Sequence, residues 1–280
     1  MARAPAKINL WLKVVGKRAD GYHLLDSLVA FADLADTLEA VPSETLSLTV
    51  DGPQAGSLAA EPDNLVLKAA RTLAARAGVA PRAALRLTKN IPVAAGLGGG
   101  SADAAAALHA LIELWRVALP VEELFDLAAT LGADVPMCLA GLTAIASGIG
   151  DRLATAPALP PCGLLMVNPG VPLATKDVFA RRQAAFSQAP PAERAWPTLP
   201  DLVAALDRRG NDLTDAAVAL QPVVGEVLAA LGRAPGVCYR AMSGSGATCF
   251  ALFDSPAAAQ TAARTLPVSW WRHAGRFAPA

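Results

Sequence analysis

PVAAGLGGGSADAAAA, residues 92–107, is the stretch from which the rest of this chain is read. In Gly96-Leu97-Gly98-Gly99-Gly100-Ser101, four glycines let the backbone take positive φ and approach an anion with no Cβ in the way. The alanines that follow predict a helix whose first N–H groups and dipole point back at the loop, an arrangement that binds phosphate oxygens. Ser101 stands where a side chain caps such a helix or touches a magnesium ion. On these residues alone, a tight loop before an alanine helix packed closely on a sheet is an equal reading. No Gly-Lys-Ser or Gly-Lys-Thr follows the glycines, which excludes a Walker A loop. No clear strand leads into them with an acidic residue about twenty positions on, which excludes the dinucleotide-binding pattern.

Outward from this loop, 280 residues suit one large domain or two of ordinary size sharing a cleft, and two is the expectation. With 54% hydrophobic and 17% charged residues the chain can bury a sizeable core, unlike a disordered tail or a coiled coil. Its formal net charge is zero and its basic residues are scattered. Electrostatics therefore favour neither nucleic acid nor an anionic membrane surface as a partner, and an anion must be bound locally. The first residues, MARAPAKINLWLKVVGKRADG, hold only a short apolar stretch broken by lysines and lack a small-residue cleavage site, unlike a secretion signal. No apolar run is long enough to span a bilayer. Cys138, Cys162, Cys238 and Cys249 lie far apart without a CxxC pair, and the three histidines complete no zinc-type spacing. They read as ordinary thiols of a protein kept in a reducing cytoplasm.

Strands are predicted at residues 7–15 and 24–31, separated by a glycine-containing turn, and at 45–50 and 84–87. Residues 62–78, PDNLVLKAARTLAARAG, read as a helix with Asp63 or Asn64 as N-cap and Gly78 as its stop. A second helix should run from the glycines to about Arg116, and a third over residues 121–131 before Gly132. Past Asp151 the composition turns to proline and alanine ahead of the strand-like LLMVNPG, which places a boundary between residues 1–153 and 154–280. The proline-rich residues 190–200, flanked by helical segments, predict a surface loop. CYRAMSGSGATCFALF reads as strand, glycine turn and strand.

Three segments, Pro5-Ala6-Lys7-Ile8-Asn9-Leu10, the glycine cradle, and Ser243-Gly244-Ser245-Gly246-Ala247-Thr248, resemble in order and spacing the GHMP kinases, named for galacto-, homoserine, mevalonate and phosphomevalonate kinases. Within that superfamily APAKINLWLKVVGKRADGYHLLDSL, Leu131-Gly132-Ala133-Asp134-Val135-Pro136 and Asn211-Asp212-Leu213 resemble the branch whose acceptor is a methylerythritol linked to cytidine diphosphate. The resemblance runs through most of the chain. It implies an α+β fold of two domains, with ATP and a small-molecule acceptor in the cleft between them, and transfer of the terminal phosphoryl group of ATP, with Mg2+, to a hydroxyl. There are two departures. Ala102 stands where the family commonly has a second serine, which leaves the hydroxyl role to Ser101, and residues 183–196 carry no recognisable motif.

By the same resemblance Asp134 is the base that accepts the proton of the acceptor hydroxyl, and Lys7 is the cation that keeps it ionised and orients that hydroxyl. Read without the family, Asp134 is a turn or helix cap and Lys7 a surface strand residue. The ring of Tyr22 would stack on cytosine and His23 bond to its polar edge, while Phe179, following Thr175, would close the stack from the other side. A core position on a helix is the other reading of Phe179. Asn9 would hold a phosphate or the ribose region of the acceptor. For ATP, Asn64 and Lys89 would lie near base and ribose, with Pro92 opening the cradle and the backbone of residues 96–101 on the phosphates. Gly244 belongs to a second tight turn that supports the glycine loop, approaches the acceptor, or is only a hairpin turn.

Overall fold

The computed structural model describes residues 1–56, 64–189, 191 and 195–279. Asp63, one of the two expected helix caps, lies outside them. The chain divides into two compact units, one formed by Met1–Ala6, Leu34–Val93 and Gly98–Gly141, the other by Lys7–Asp33, Ala94–Leu97 and Leu142–Ala280. Two long strands run through both. β1 (Ala2–Lys17) is buried almost continuously over its middle, where Ala6, Ile8, Leu10, Trp11 and Leu12 lie. β2 (His23–Val41) follows a turn at Gly21, φ +93°. The strand outruns the predicted 24–31 because Asp33 and Asp36 interrupt the apolar run, while pairing with a strand distant in sequence continues it.

In the first unit β3 (Ser47–Asp51) runs parallel to β4 (Ala84–Thr88), and the end of β2 pairs antiparallel with β4, Thr37 opposite Thr88. Between β3 and β4 comes α1 (Leu65–Ala77). Asn64 caps it, its Oδ1 accepting the Val66 N–H at 2.9 Å, and Gly78 stops it at φ +66°. α2 (Gly99–Trp115) packs on α1 through a buried face rich in alanine, small enough for close approach. α3 (Val121–Leu131) and α4 (Val135–Ala140) complete this unit.

In the second unit Leu25 to Val29 of β2 pair with β5 (Ala144–Gly148), which forms a hairpin with β6 (Arg152–Thr155). A four-stranded antiparallel sheet is built from β7 (Gly163–Asn168), β8 (Val237–Met242), β9 (Cys249–Phe253) and β10 (Trp271–Gly275), in the order β10-β7-β9-β8. Leu165, Val167 and Phe253 from this sheet share a core with Leu12, Val14, Val178 and Val224. The helices of this unit are α5 (Thr175–Arg181), α6 (Leu199–Arg209), α7 (Thr214–Leu220), α8 (Val223–Gly232) and α9 (Pro256–Ala263). The proline-rich stretch ends sooner than expected. Pro200 lies in the first turn of α6, where its missing N–H costs nothing, behind a reciprocal cap between Thr198 and Asp201. All four cysteines are unbridged, and among the described residues no helix is long and apolar enough to cross a membrane.

Candidate active site

The glycine loop passes from one unit to the other between Leu97 and Gly98. Two of its four glycines, Gly96 at +74° and Gly98 at +64°, take the positive φ anticipated for all of them. Gly99 and Gly100 are instead the first helical residues of α2, and Gly98 occupies the cap position, with no side-chain bond. Ser101 is therefore inside the first turn and is not the cap. A side chain at Gly96 would press its Cβ well inside van der Waals contact with the Gly246 carbonyl, so only glycine lets these two loops touch.

The second glycine turn thus does more than join β8 to β9. The Thr248 hydroxyl donates to the Ala95 carbonyl at 2.5 Å and accepts from Asn168 Nδ2 at 2.9 Å, while the Lys7 N–H holds the Leu97 carbonyl at 2.8 Å. Asn211 Nδ2 donates to the carbonyls of Met242 and Gly244, each at 2.8 Å. Asn9 sits at the centre. Its Oδ1 accepts from Lys7 Nζ at 2.8 Å, its Nδ2 donates to Ser27 Oγ at 2.8 Å, and its backbone N–H donates to Ser243 Oγ at 3.1 Å. A Cβ at Gly244 would stand 3.1 Å from Asn9 Oδ1. Lys7 and Asn9, two residues apart, are brought together with the distant Gly244, and Lys7 is 6% exposed rather than a surface residue. Ser27 and Ser243, the partners of Asn9, carry no signal in sequence beyond sitting inside quoted segments.

Beside the Gly21 turn the ring that meets Phe179 is His23, stacked at 4.8 Å between centroids with planes 21° apart. Tyr22 is 61% exposed. On α5 Val178 enters the core, and Phe179, partly buried, packs against that core as well as on His23. Thr175 Oγ1 and Ser245 Oγ share a hydrogen bond of 2.9 Å. Burial, and then the positive charges of Lys17 and Arg182, lower the His23 pKa, so its imidazole is neutral at physiological pH.

In the first unit Lys89 is 2% exposed, its ammonium bonded to Asp36 Oδ2 and, at 2.6 Å, to Asp103 Oδ2. Asp36 Oδ1 accepts the N–H groups of Asn90 and Ile91, at 2.5 and 2.8 Å, and so fixes the turn that leads to Pro92 and the loop. Asp103, in the second turn of α2, keeps one buried oxygen without a hydrogen-bond partner. Burial, against the pull of Lys89 and with the push of Asp36, raises its carboxyl to about 7. Neither aspartate stands out in the sequence, Asp36 because it interrupts a strand and Asp103 because it follows the glycines as one polar residue among alanines. Asp134 occupies the N-cap position of α4, but its carboxylate makes no capping bond, and Pro136 supplies the helix start instead.

A mixed sheet, an antiparallel sheet, an interleaved chain path and a glycine cradle opening an alanine helix are the features of a class. The chain is a GHMP kinase: the family described as GHMP kinases N terminal domain matches residues 64–142, and GHMP kinases C terminal matches residues 192–272. Within the class it belongs to the 4-diphosphocytidyl-2-C-methyl-D-erythritol kinase family. The protein of that name from Paramagnetospirillum magneticum is 54% identical over 96% of this chain and 95% of its own length. That from Rhodospirillum rubrum is 51% identical over 98% and 91%. The crystal structure of a 4-(cytidine 5'-diphospho)-2C-methyl-D-erythritol kinase, 36% identical and covering 99% of both chains, matches with a TM-score of 0.81.

Proposed function

We propose that this chain transfers the terminal phosphoryl group of ATP to the 2-hydroxyl of 4-diphosphocytidyl-2-C-methyl-D-erythritol, in the non-mevalonate route to isoprenoid precursors and in a reducing cytoplasm. The relatives just described carry this activity in their names. The observation that carries the choice of acceptor is the aromatic group at the Gly21 turn, exposed Tyr22 with His23 stacked on Phe179, because the cradle itself serves any acceptor. A flat, uncharged base suits such rings, each contact contributing roughly 1–3 kcal/mol in nucleic-acid systems.

The chain's residues fit the nucleotide. Gly96 and Gly98 present bare backbone at positive φ, and the opening N–H groups of α2 carry the partial positive charge of a helix start. Mg2+ would neutralise charge on the nucleotide phosphates, with the Ser101 hydroxyl as a contact from the chain. The acceptor oxygen bonds to the γ-phosphorus, the bond from that phosphorus to the bridging oxygen breaks, ADP leaves, and the hydroxyl proton passes to Asp134. Lys7, held by Asn9, offsets negative charge on the reacting oxygens. A steady-state assay with the cytidine-linked alcohol, homoserine, mevalonate and galactose is expected to consume ATP with the first alone. Turnover with one of the other three instead would overturn the reading.

A further inference from the structure

The Asn211-Asp212-Leu213 motif and the segment after α5 have no part in the transfer just described, yet the structure ties them together. Asp212 Oδ1 pairs with Lys13 Nζ at 2.5 Å, and Oδ2 accepts the Val14 N–H at 2.8 Å and the Ser187 hydroxyl at 2.7 Å. Ser187 in turn donates its N–H to the Val14 carbonyl at 2.9 Å. Arg182 caps the C-terminus of α5, its N–H on the Val178 carbonyl. Its side chain is 5% exposed, and the guanidinium donates to the carbonyls of Ala184 and Ala185 at 2.7 and 2.5 Å and lies 3.9 Å from Asp212 Oδ2. Burial would push the Asp212 carboxyl up, but Lys13, the Val14 N–H and Ser187 outweigh it and hold the group charged at neutral pH.

This one carboxylate fastens both supports of the ring pair. Val14 lies on the strand that runs into the Gly21 turn and His23, where the Arg18 N–H and the Tyr22 carbonyl close the hairpin at 2.8 Å. Ser187 and Arg182 belong to the segment that continues the helix bearing Phe179. The same anchorage keeps Arg182 close enough to His23 to disfavour its protonation. We propose that Asp212 is the positioning residue for the base of the acceptor: it holds α5 against β1 so that Phe179 and His23 present their rings in register. This rests on the cytidine reading above. Asp212 touches neither substrate nor reacting atoms, so it acts through Phe179.

A double-mutant cycle on the full chain tests this, with CDP titrated calorimetrically in the presence of saturating ADP, and ADP titrated alone as control. Asp212→Asn is expected to weaken CDP about tenfold and to leave ADP within about twofold, and in a Phe179→Ala background to add nothing further. Ser187→Ala, which removes only the hydroxyl, should weaken CDP about threefold with the same absorption into Phe179→Ala, and decides the matter if Asp212→Asn does not fold. Unchanged CDP affinity, losses that add to that of Phe179→Ala, or an equal loss of ADP affinity would each overturn the proposal. Failure of the unmutated chain to bind CDP would be a different result, overturning the acceptor assignment and the proposal with it.

Discussion

Asp134 stands at the N-cap position of α4 without a side-chain capping bond, and the proposed transfer makes it the proton acceptor. Asp134→Asn should lower kcat by about 10²–10⁴ while ADP binding, followed by calorimetry, is retained. Full turnover in that variant would remove Asp134 from the mechanism. Gly96 is constrained twice, by its φ of +74° and by the Gly246 carbonyl against it. Gly96→Ala is expected to destabilise by about 2–5 kcal/mol, left-handed strain and overpacking together, read as a lower midpoint in urea. The lowered pKa of His23 gives a third expectation. CDP affinity should be flat through neutral pH and fall only in acid, below the ordinary imidazole range, as the ring gains a proton that its surroundings disfavour. Tighter binding in acid would contradict a neutral ring at the base.

At the scale of elements, the start of α2 and the turn before the glycine loop are pinned by one buried cluster, Lys89 between Asp36 and Asp103. Replacing Lys89 by methionine leaves two buried carboxylates without their cation and should cost about 3–5 kcal/mol. Asp103→Asn leaves the Lys89–Asp36 pair in place and should be far milder. The sign of the pH effect follows from the folded value of about 7 against an unfolded value of about 3.9. The folded state holds the extra proton between these values, so the Asp103 contribution to stability is greatest below about pH 4 and is lost as pH rises towards 7. Thermal melts across that window should show this decline in the unmutated chain and a shallower one in Asp103→Asn. Equal slopes would show that Asp103 is ionised throughout.

At the scale of the molecule, each unit is assembled from separate stretches of chain, and Lys7–Asp33 and Ala94–Leu97 belong with Leu142–Ala280. Contacts within that unit show what those early stretches contribute: Leu12 bridges Asn211, Asn9 bonds to Ser243, and the Ala95 carbonyl receives Thr248. A fragment of residues 154–280 lacks β1 and the glycine loop, and it should fail to give a cooperative melt by circular dichroism. A sharp transition from that fragment alone would show that the early stretches are dispensable to its fold.

The limits of α1, the end of α3 and the hairpin at SGSGAT were legible in the sequence because they rest on neighbours along the chain. Asn64 and Gly78 bracket α1, Gly132 follows α3, and a glycine run before alanines can hardly be other than a loop entering a helix. The class of protein was legible too, from motifs whose order survives without any knowledge of contacts. What required the tertiary structure was every partnership across the chain. Gly96 and Gly98 could not be told apart from Gly99 and Gly100 until the helix start was placed. Lys89 could not be seen to share its charge with Asp36 and Asp103, nor Phe179 to meet His23 before Tyr22. Asp212 carried no visible purpose in an Asn-Asp-Leu triplet. Local propensity acts over a few residues, whereas a buried charge or a ring finds its partner only when packing brings distant segments within hydrogen-bond reach.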